Sequence, residues 1–582
     1  MMQMVAMTTI KSEAGREPRM DFSPRYVFSV ASGKPSAKIL KYFWSFTHLF
    51  VPLQPIMSTA DQNQQREILR KRGICVVIPT YNNGGTIGRV VEETLAECDD
   101  VIVVNDGSTD ATANILSAFK GITLVTLAKN SGKGAALKAG FRKAMDMGFA
   151  YAITLDGDGQ HYPKEISRFL QANREHPWAL ILGSRQSGGQ VQSGGQVHDL
   201  SERQNHATCP LDRLEGQPEV SRFANQFSNF WFWVQTGRKL SDTQTGYRLY
   251  PLKRLHGLSL LTSRYEAELE LLVFASWHGV ELVEIPVDVY YPPKEERVSH
   301  FRPGKDFARI SVLNTVLCFL AVVYGLPLRL WRWLMKYVRT VYALLFFLFF
   351  MFVVIKPAVW LYMKIGKMTE QKRRNLHKLI YRASRFVMLT HGIPGVKFSY
   401  GVKEGVRFDR PRVVVCNHQS HLDLFCQLIF TPNIIFLTND WVWNNPSYGL
   451  LIRHAEYYPV REGLEELLPK LRSLVERGYS IAVYPEGTRS KDCQIGRFHQ
   501  GAFWLAEQLG VDILPMCLYG PGKILKKKTY TLHKGPVRIE VDEPVSLEEL
   551  RAMGDCMAQA KEMRHRYIKR YEALANRMER DC

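Results

Sequence analysis

The run ICVVIPTY, residues 74–81, is a short, mainly apolar segment that ends at a proline and polar residues, as a buried strand does. Three runs of the same kind follow, and segments with helical patterning separate them. They read DVIVVNDGS (residues 100–108), ITLVTL (122–127) and AYAITLDGDGQH (150–161). Short strands that alternate with helices predict a parallel, doubly wound α/β sheet that binds its ligands at the carboxyl ends of the strands.

A second α/β region begins near residue 412, and two apolar stretches, 310–328 and 341–363, separate it from the first. Its strands are predicted from RVVVCNH (412–418), NIIFLTN (433–439), SIAVYPEG (480–487) and DILPMCLYG (512–520). We therefore predict two α/β domains with membrane-associated helices between them. The predicted boundaries are 1–72 for a poorly defined N-terminal arm, 73–305 for the first domain with a flexible loop at 186–220, 306–368 for the membrane-associated helices, 369–548 for the second domain and 549–582 for a charged helical tail.

The amino-acid composition indicates which kinds of partner the chain binds and in which cellular compartment it works. The 582 residues carry a formal net charge of +20, which is typical of chains that bind nucleic acid or an anionic membrane. The apolar stretches favour the membrane, and the absence of a zinc-finger or RNA-binding signature argues against nucleic acid. The ten cysteines never form Cys-x-x-Cys, and charged residues near the N-terminus argue against a signal peptide. We expect catalysis in the cytoplasm.

The connector between the two apolar stretches predicts the membrane topology. It contains four basic residues and no acidic one, so the positive-inside rule opposes a two-span hairpin that would place it outside. Its aromatic residues are types favoured at a membrane interface. We expect a monotopic protein on the cytoplasmic face of the inner membrane, with two helices that dip into one leaflet. The alternative for residues 310–328 is a buried helix between the domains. The connector's basic and aromatic residues are Arg329, Arg332, Lys336, Arg339, Trp331, Trp333 and Tyr337.

Polar residues follow three of the strands predicted in the first domain. Asp156 and Asp158 lie two apart on a turn, where they can hold a divalent cation that neutralises a nucleotide diphosphate leaving group. Asp106 is placed to accept hydrogen bonds from a base or a ribose. Lys133 lies between two glycines and can reach a diphosphate. Each piece alone is an ordinary turn, but together and in this order they indicate a nucleotide-sugar site.

These residues, with GSR (183–185) and SDTQTGYRLY (241–250), resemble the family-two glycosyltransferases of the GT-A fold, and within them the polyprenyl-phosphate sugar synthases. The resemblance covers roughly residues 74–300. It implies an inverting, metal-dependent transfer from a nucleotide sugar, with Arg185 and Arg248 on phosphate groups. The predicted nucleotide-sugar site comprises Pro79, Tyr81, Asp106, Lys133, Asp156, Asp158, Arg185 and Arg248. The implied ligands of Mg²⁺ or Mn²⁺ are Asp156, Asp158 and Gln160.

Asp242 has two possible roles, which depend on the sugar acceptor. A hydroxyl acceptor needs a general base, and Asp242 is the best candidate. A lipid phosphate is already ionised, and Asp242 would then only organise the site.

HQSHLD, residues 418–423, carries the chemistry predicted for the second domain. An imidazole deprotonates a hydroxyl well when a carboxylate orients it, and His418 and Asp423 can meet across a strand–helix turn. His421 is interpreted as structural. EGTRS, residues 486–490, is a turn suited to a phosphate or a polar head group.

With YYPVRE (457–462) and LPM (514–516), these segments resemble the lysophosphatidic-acid-type acyltransferases over roughly residues 370–545. The resemblance implies His418 as the base and Asp423 as the residue that orients it. It implies an acyl-CoA or acyl carrier protein thioester as donor, and no metal. The implied acyl-acceptor residues are Arg461, Glu486, Gly487, Thr488 and Arg489.

Together the two halves predict a bifunctional, membrane-associated enzyme of lipid or glycolipid biosynthesis. One alternative is a polyprenyl-phosphate sugar synthase with an independent acyltransferase attached. Another is a non-catalytic membrane scaffold, but inactive domains would be expected to have lost Asp156, Asp158, His418 or Glu486, and all four are present.

Overall fold

The structure, a computed structural model, describes residues 59–185, 219–258, 260–290, 303–390, 393–446, 448–460 and 463–581. The predicted N-terminal arm up to residue 58 and the predicted flexible loop up to residue 218 lie outside the described residues. Thr59 to Cys582 belong to one compact unit.

A seven-stranded sheet forms the N-terminal domain, in the order β3-β2-β1-β4-β6-β5-β7. All neighbours are parallel except β6, which runs antiparallel to β4 and β5. The four strands predicted from the sequence are confirmed. The strands are β1 (Ile74–Thr80), β2 (Val101–Asn105), β3 (Ile122–Thr126), β4 (Tyr151–Thr154), β5 (Leu180–Ser184), β6 (Arg248–Pro251) and β7 (Leu282–Pro286). The helices are α1 (Thr59–Arg72), α2 (Ile87–Glu97), α3 (Thr112–Ser117), α4 (Lys133–Asp146), α5 (Ile166–Glu175), α6 (Glu219–Thr236), α7 (Leu252–Leu255) and α8 (Glu266–Trp277).

Strand β1 is apolar along its whole length because both faces of the sheet are covered. Val76 and Ile78 belong to one hydrophobic core, whereas Cys75 and Val77 belong to the core on the opposite face. Alternation of side chains between two buried faces produces a continuous apolar run in place of an alternating one. The carboxyl ends of β1, β2 and β4 therefore meet at one edge, where the predicted polar residues follow.

A six-stranded sheet forms the C-terminal domain, in the order β10-β11-β9-β12-β13-β8. Its neighbours are parallel except for β12 and β13. The four predicted strands are confirmed, and the sheet contains two more, β8 and β13. The strands are β8 (Val396–Val402), β9 (Val413–Cys416), β10 (Ile434–Phe436), β11 (Ser480–Val483), β12 (Ile513–Tyr519) and β13 (Gly535–Val541).

One continuous helical run, Pro303–Lys364, replaces the two predicted membrane helices and their connector; we call it the long helix. It consists of α9 (Pro303–Leu320), α10 (Leu326–Phe349) and α11 (Lys356–Lys364), joined by π-helical turns. Pro327 and Pro357 each lie in the first turn after a π-helical turn, where a missing N–H costs least and the wider backbone accommodates the ring. The prolines therefore do not end the helix.

The long helix contacts both domains. Leu313 and Leu317 are buried in the N-terminal core, and Ile355 and Val359 are buried in the C-terminal core. Its remaining surface exposes many large apolar side chains. Among the described residues it is the one helix long and apolar enough to cross a membrane by length and composition.

The predicted charged tail is a helix with a buried face. The remaining helices are α12 (Glu370–Leu389), α13 (Asp423–Gln427), α14 (Asp440–Trp443), α15 (Gly449–His454), α16 (Leu464–Glu476), α17 (Gly501–Leu509), α18 (Pro521–Ile524), α19 (Leu547–Ala552) and α20 (Cys556–Asp581). In α20, Met563, Tyr567, Tyr571 and Leu574 are buried in the C-terminal core, whereas charged residues such as Lys561 and Lys569 are exposed. The spacing of these four residues places them on one side of a helix.

Helix α20 also holds the two domains together. Arg72 of α1 and Glu579 of α20 form an ion pair of 2.9 Å whose side chains are 9% and 5% exposed. Arg72 also donates hydrogen bonds to Asn173 and Asn576. These partners come from both domains, so the interface between the domains contains buried polar contacts.

We expect Arg72→Met to lower the free energy of unfolding by about 2–3 kcal/mol, because it leaves Glu579 buried with one cation fewer. This loss of stability is smaller than is usual when a buried ion pair is broken, because Lys523 still lies 3.3 Å from Glu579 and partly neutralises it. Arg66→Met on the same helix is the control, because Arg66 pairs with Asp99 at the exposed surface. Thermal unfolding of both variants checks this, and equal destabilisation would contradict the role of burial.

Two candidate active sites

Asp156 and Asp158 follow β4 at the carboxyl edge of the first sheet. Asp156 forms an ion pair of 2.7 Å with Lys133, which begins α4, and Lys133 also lies 2.9 Å from Glu268. Asp158 accepts a hydrogen bond from the backbone N–H of Gln160 at 3.0 Å. A Cβ atom at Gly246 would collide with the Asp156 carboxylate, so the SDTQTGYR loop can pass beside it only with glycine there. The structure thus brings together Lys133, Asp156, Asp158 and Gln160 as predicted.

The charged side chains at this site favour the binding of a cation. Burial and the neighbouring Asp156 carboxylate raise the pKa of Asp158 to about 6. Burial would also raise the pKa of Asp156, but the Lys133 ammonium outweighs it and the pKa of Asp156 is lowered. Two neighbouring carboxylates, of which only Asp156 forms an ion pair with Lys133, fit a divalent cation completed by substrate phosphates. The described residues contain no group of three or more His, Cys, Asp or Glu side chains placed to hold a metal ion.

The structure gives Asp106 a role beyond the predicted one. Its two carboxylate oxygens accept hydrogen bonds from the backbone N–H groups of Ser131 and Gly132, both at 2.8 Å, and the side chain is buried. Asp106 therefore orders the loop that leads into Lys133, and its contact with a base or a ribose stays a prediction. Pro79 is buried within β1, and Tyr81 is half-buried just beyond its end.

Arg185 and Asp242 form a two-pronged ion pair. Arg185 Nε lies 2.6 Å from Asp242 Oδ2, and Arg185 Nη2 lies 2.8 Å from Oδ1. Asp242 is fully buried, and Glu284 accepts hydrogen bonds from its backbone N–H and from Ser241. A carboxylate held this way organises the site and is poorly placed to remove a proton. Glu284 was not predicted, because it lies in β7 without a recognisable motif.

Arg248 is not placed to bind a phosphate group. Its side chain is completely buried, and its guanidinium donates hydrogen bonds to the backbone carbonyls of Thr243, Thr245 and Glu268. The prediction that Arg248 contacts substrate is therefore wrong. The residue holds the backbone of the SDTQTGYR loop in place through these hydrogen bonds.

We expect Arg248→Lys to lower the free energy of unfolding by about 2–4 kcal/mol, because lysine cannot reach all the carbonyls and leaves some of them buried without a donor. The KM for the nucleotide sugar should not rise selectively. Arg185→Lys is the matched control and should impair sugar transfer with a smaller loss of stability. A raised KM with an unchanged melting temperature in Arg248→Lys would restore the phosphate-binding role.

His161 is a further candidate that the sequence analysis did not assign, although it ends the DGDGQH motif. Its ring lies 5.1 Å from that of Tyr247, and its Nδ1 atom is buried without a hydrogen-bond partner. Burial lowers the pKa of His161 to about 4, so the ring is neutral at pH 7.

His418 and Asp423 form the predicted pair in the second domain. His418 Nδ1 lies 2.8 Å from Asp423 Oδ2, and the same oxygen accepts hydrogen bonds from the backbone N–H groups of Gln419 and Ser420. Asp423 is fully buried, whereas the His418 side chain is 22% exposed. The His418 ring stacks on Tyr484 with 4.1 Å between ring centroids. With Nδ1–H donated to Asp423, Nε2 is available to take a proton from a hydroxyl.

Glu486 supports this pair. Its carboxylate accepts hydrogen bonds from the backbone N–H groups of His418 at 2.9 Å and Gly496 at 2.9 Å, and the side chain is buried. Both oxygens therefore hold the backbone around His418, and a contact of Glu486 with the acyl acceptor stays a prediction.

The remaining predicted acceptor residues are more accessible. Gly487 and Thr488 are exposed and Arg489 is half-buried, so this turn faces outward beside His418. Arg461 lies outside the described residues. His421 is exposed, with its ring 6.2 Å from that of Trp441, and its structural role stays a prediction.

Comparison with known proteins identifies a different family in each half of the chain. The family model described as glycosyl transferase family 2 matches residues 75–232, and that described as acyltransferase matches residues 397–519. Over 222 residues the chain is 30% identical to the polyprenol monophosphomannose synthase of Mycolicibacterium smegmatis, an alignment that covers 36% of this chain and 75% of that protein. The chain belongs to glycosyl transferase family 2.

The C-terminal half is an acyltransferase domain. Over 142 residues it is 33% identical to a chloroplastic 1-acyl-sn-glycerol-3-phosphate acyltransferase of Brassica napus, covering 24% of this chain. The chain spans about two fifths, 41%, of the length of that relative. The solved structures similar to the glycosyltransferase domain include glucosyl-3-phosphoglycerate synthase from Mycobacterium tuberculosis with Mn²⁺, UDP and phosphoglyceric acid, at 17% identity and a TM-score of 0.30, covering 47% of this chain and 87% of that chain.

Proposed function

We propose that this chain is a bifunctional enzyme of lipid or glycolipid biosynthesis that works at the cytoplasmic face of a membrane. The glycosyltransferase domain transfers a sugar from a nucleotide sugar with inversion and with Mg²⁺ or Mn²⁺. The acyltransferase domain transfers an acyl group from a CoA or acyl carrier protein thioester to a lipid hydroxyl. The observation that carries the proposal is the long helix, which packs into the cores of both domains and leaves an apolar face exposed.

The contacts along the long helix favour an in-plane position over a transmembrane one. The run Phe307–Lys364, 58 residues, is about 85 Å long, far more than the roughly 30 Å of a bilayer core. Protein contacts recur along it, from Leu313 through Arg329 and Thr340 to Val359. No stretch long enough to span is therefore surrounded by lipid on all sides, and one leaflet suffices for the exposed face.

The Arg185–Asp242 pair favours a phosphate as the sugar acceptor. Asp242 is committed to Arg185 and to backbone N–H groups, so it is not a free general base. An ionised lipid phosphate needs no base, whereas a hydroxyl does. This supports the second candidate function, in which the glycosyltransferase domain is a polyprenyl-phosphate sugar synthase and the acyltransferase acts on a separate lipid.

Mass spectrometry of lipids distinguishes the two candidates. Cells that express the wild-type chain, Asp158→Ala, His418→Ala or the double variant are extracted and compared. A bifunctional pathway on one molecule should yield a glycosylated and acylated lipid, with a singly modified intermediate in each single variant. Independent reactions should yield two unrelated products, each lost in one variant only. The absence of both products in the wild-type strain would contradict the proposed function.

A further inference from the structure

A loop of the acyltransferase domain projects an aromatic side chain into solvent. We call Leu525–Leu532, with the sequence LKKKTYTL, the lysine loop. The backbone N–H of His533 donates to the carbonyl of Ile524 at 2.9 Å and closes the loop at its base. Within it, Tyr530 is 92% exposed. The hydrogen bond at its base gives the loop a defined shape, and the exposed ring of Tyr530 is an apolar surface that the rest of the protein does not cover.

The lysine loop is fastened to two other parts of the molecule. The backbone N–H of Leu532 donates to Thr340 Oγ1 of the long helix at 3.0 Å. Lys527 Nζ donates to Thr488 Oγ1 at 3.0 Å and to the carbonyl of Arg489 at 2.7 Å. The loop therefore links the long helix to the turn beside His418.

Cations from the long helix and from the acyltransferase domain converge at this place. A Cβ atom on Gly395 would lie 3.2 Å from Lys534 Cβ and 3.5 Å from Arg339 Cδ, so these two side chains pack on the same glycine. Burial, followed by the charges of Lys336, Lys526 and Arg339, lowers the pKa of His533.

These cations form no ion pairs among the described residues. No carboxylate there lies within ion-pair distance of Lys336, Arg339, Lys526 or Lys534, which we call the cationic cluster. Glu281, whose pKa is lowered mainly by its hydrogen bond with His176, also feels the charge of Lys526. The Nε atom of Arg339 is buried without a hydrogen-bond partner. Four cations without an ion-paired carboxylate leave a net positive charge that is suited to an external anion.

The same turns of the long helix expose an apolar face beside the cluster. Trp333 is 60%, Val338 46% and Tyr337 42% exposed. Aromatic and aliphatic side chains next to a row of cations are typical of a helix that lies in a membrane interface. A soluble phosphate would make no use of these apolar side chains or of Tyr530.

We propose that the cationic cluster binds the phosphate head groups of anionic phospholipids while Tyr530 and the apolar face of the long helix enter the interface. This docking holds the turn with Thr488 and Arg489 against the bilayer surface. The inference goes beyond the proposed transfer reactions, since vesicle binding requires neither activity.

The test is sedimentation of the full-length protein with vesicles of phosphatidylcholine, alone or mixed with phosphatidylglycerol. The cluster variant is Lys336→Gln/Lys526→Gln/Lys534→Gln. It should bind the anionic vesicles at least about tenfold more weakly, since each basic residue near an anionic surface contributes about fivefold. Binding to phosphatidylcholine alone should be unchanged. Tyr530→Ser should weaken binding to both kinds of vesicle.

The matched control removes three exposed lysines from other elements, in the variant Lys120→Gln/Lys164→Gln/Lys561→Gln. An equal loss in this control would show that net charge alone drives binding and would overturn the proposal. So would binding of inorganic pyrophosphate, without vesicles, that the cluster variant loses. If the cluster variant does not fold, the double variant Lys526→Gln/Lys534→Gln, at two exposed positions, gives the same comparison.

Discussion

Replacing His418 with alanine is expected to lower acyl transfer by about 10²- to 10⁴-fold, the usual contribution of a positioned general base. His418 Nδ1 lies 2.8 Å from the buried Asp423 carboxylate, and no other histidine in the described residues shares that contact. Sugar transfer should be unchanged, because the Asp156–Asp158 site belongs to the other domain. Release of the free thiol from a thioester donor and release of the nucleotide from a nucleotide sugar, measured on the same preparation, check both statements.

His421→Ala is the matched control for this experiment. His421 lies in the same segment but is exposed and is not paired with Asp423. Its replacement should leave acyl transfer within a few-fold of wild type. A comparable loss in both variants, or the loss of both activities in folded His418→Ala, would contradict the assignment of the base.

Replacing Asp158 with alanine is expected to lower sugar transfer by about 10³-fold or more. A cation that stabilises a diphosphate leaving group contributes several kcal/mol, and each 1.36 kcal/mol corresponds to a tenfold change in rate. The pKa of Asp158, raised to about 6 by burial and by Asp156, indicates that the two carboxylates repel each other without a cation. EDTA should likewise stop sugar transfer, whereas acyl transfer should survive both the variant and the chelator.

Asp146→Ala provides the control, since Asp146 is an exposed carboxylate in the same domain. Sugar transfer that persists in EDTA, or that falls equally in Asp146→Ala, would count against a metal held by Asp156 and Asp158. Restoration of activity by excess Mn²⁺ in the chelated wild type, but not in Asp158→Ala, would separate loss of metal from loss of fold.

Residues on short turns after strands were the most predictable from sequence. Asp156, Asp158, His418 and Asp423 lie where the pattern placed them, because the carboxyl end of a parallel strand and the turn after it are local features. Polar residues that bond to distant backbone were not predictable. Arg248, Asp106 and Glu486 all carry the right chemistry for a ligand, but their hydrogen bonds are taken by loops that folding brings to them.

The amino-acid pattern was sufficient to predict four strands in each sheet, the two α/β domains and the two transferase families. These features are predictable because the signals for them, the spacing of apolar residues and the polar residues after each strand, lie within a few positions of one another in the sequence. The hydrogen-bond partners of each polar group, in contrast, became clear only from the packing of the folded chain. Arg72 meets Glu579 across 507 positions. Lys336 and Arg339 of the long helix lie beside the lysine loop, whereas Arg329 of the same helix donates to the carbonyl of Thr236 in the other domain. The physical reason is that burial and hydrogen-bond partners depend on which segments pack together, and local patterning carries no record of that packing.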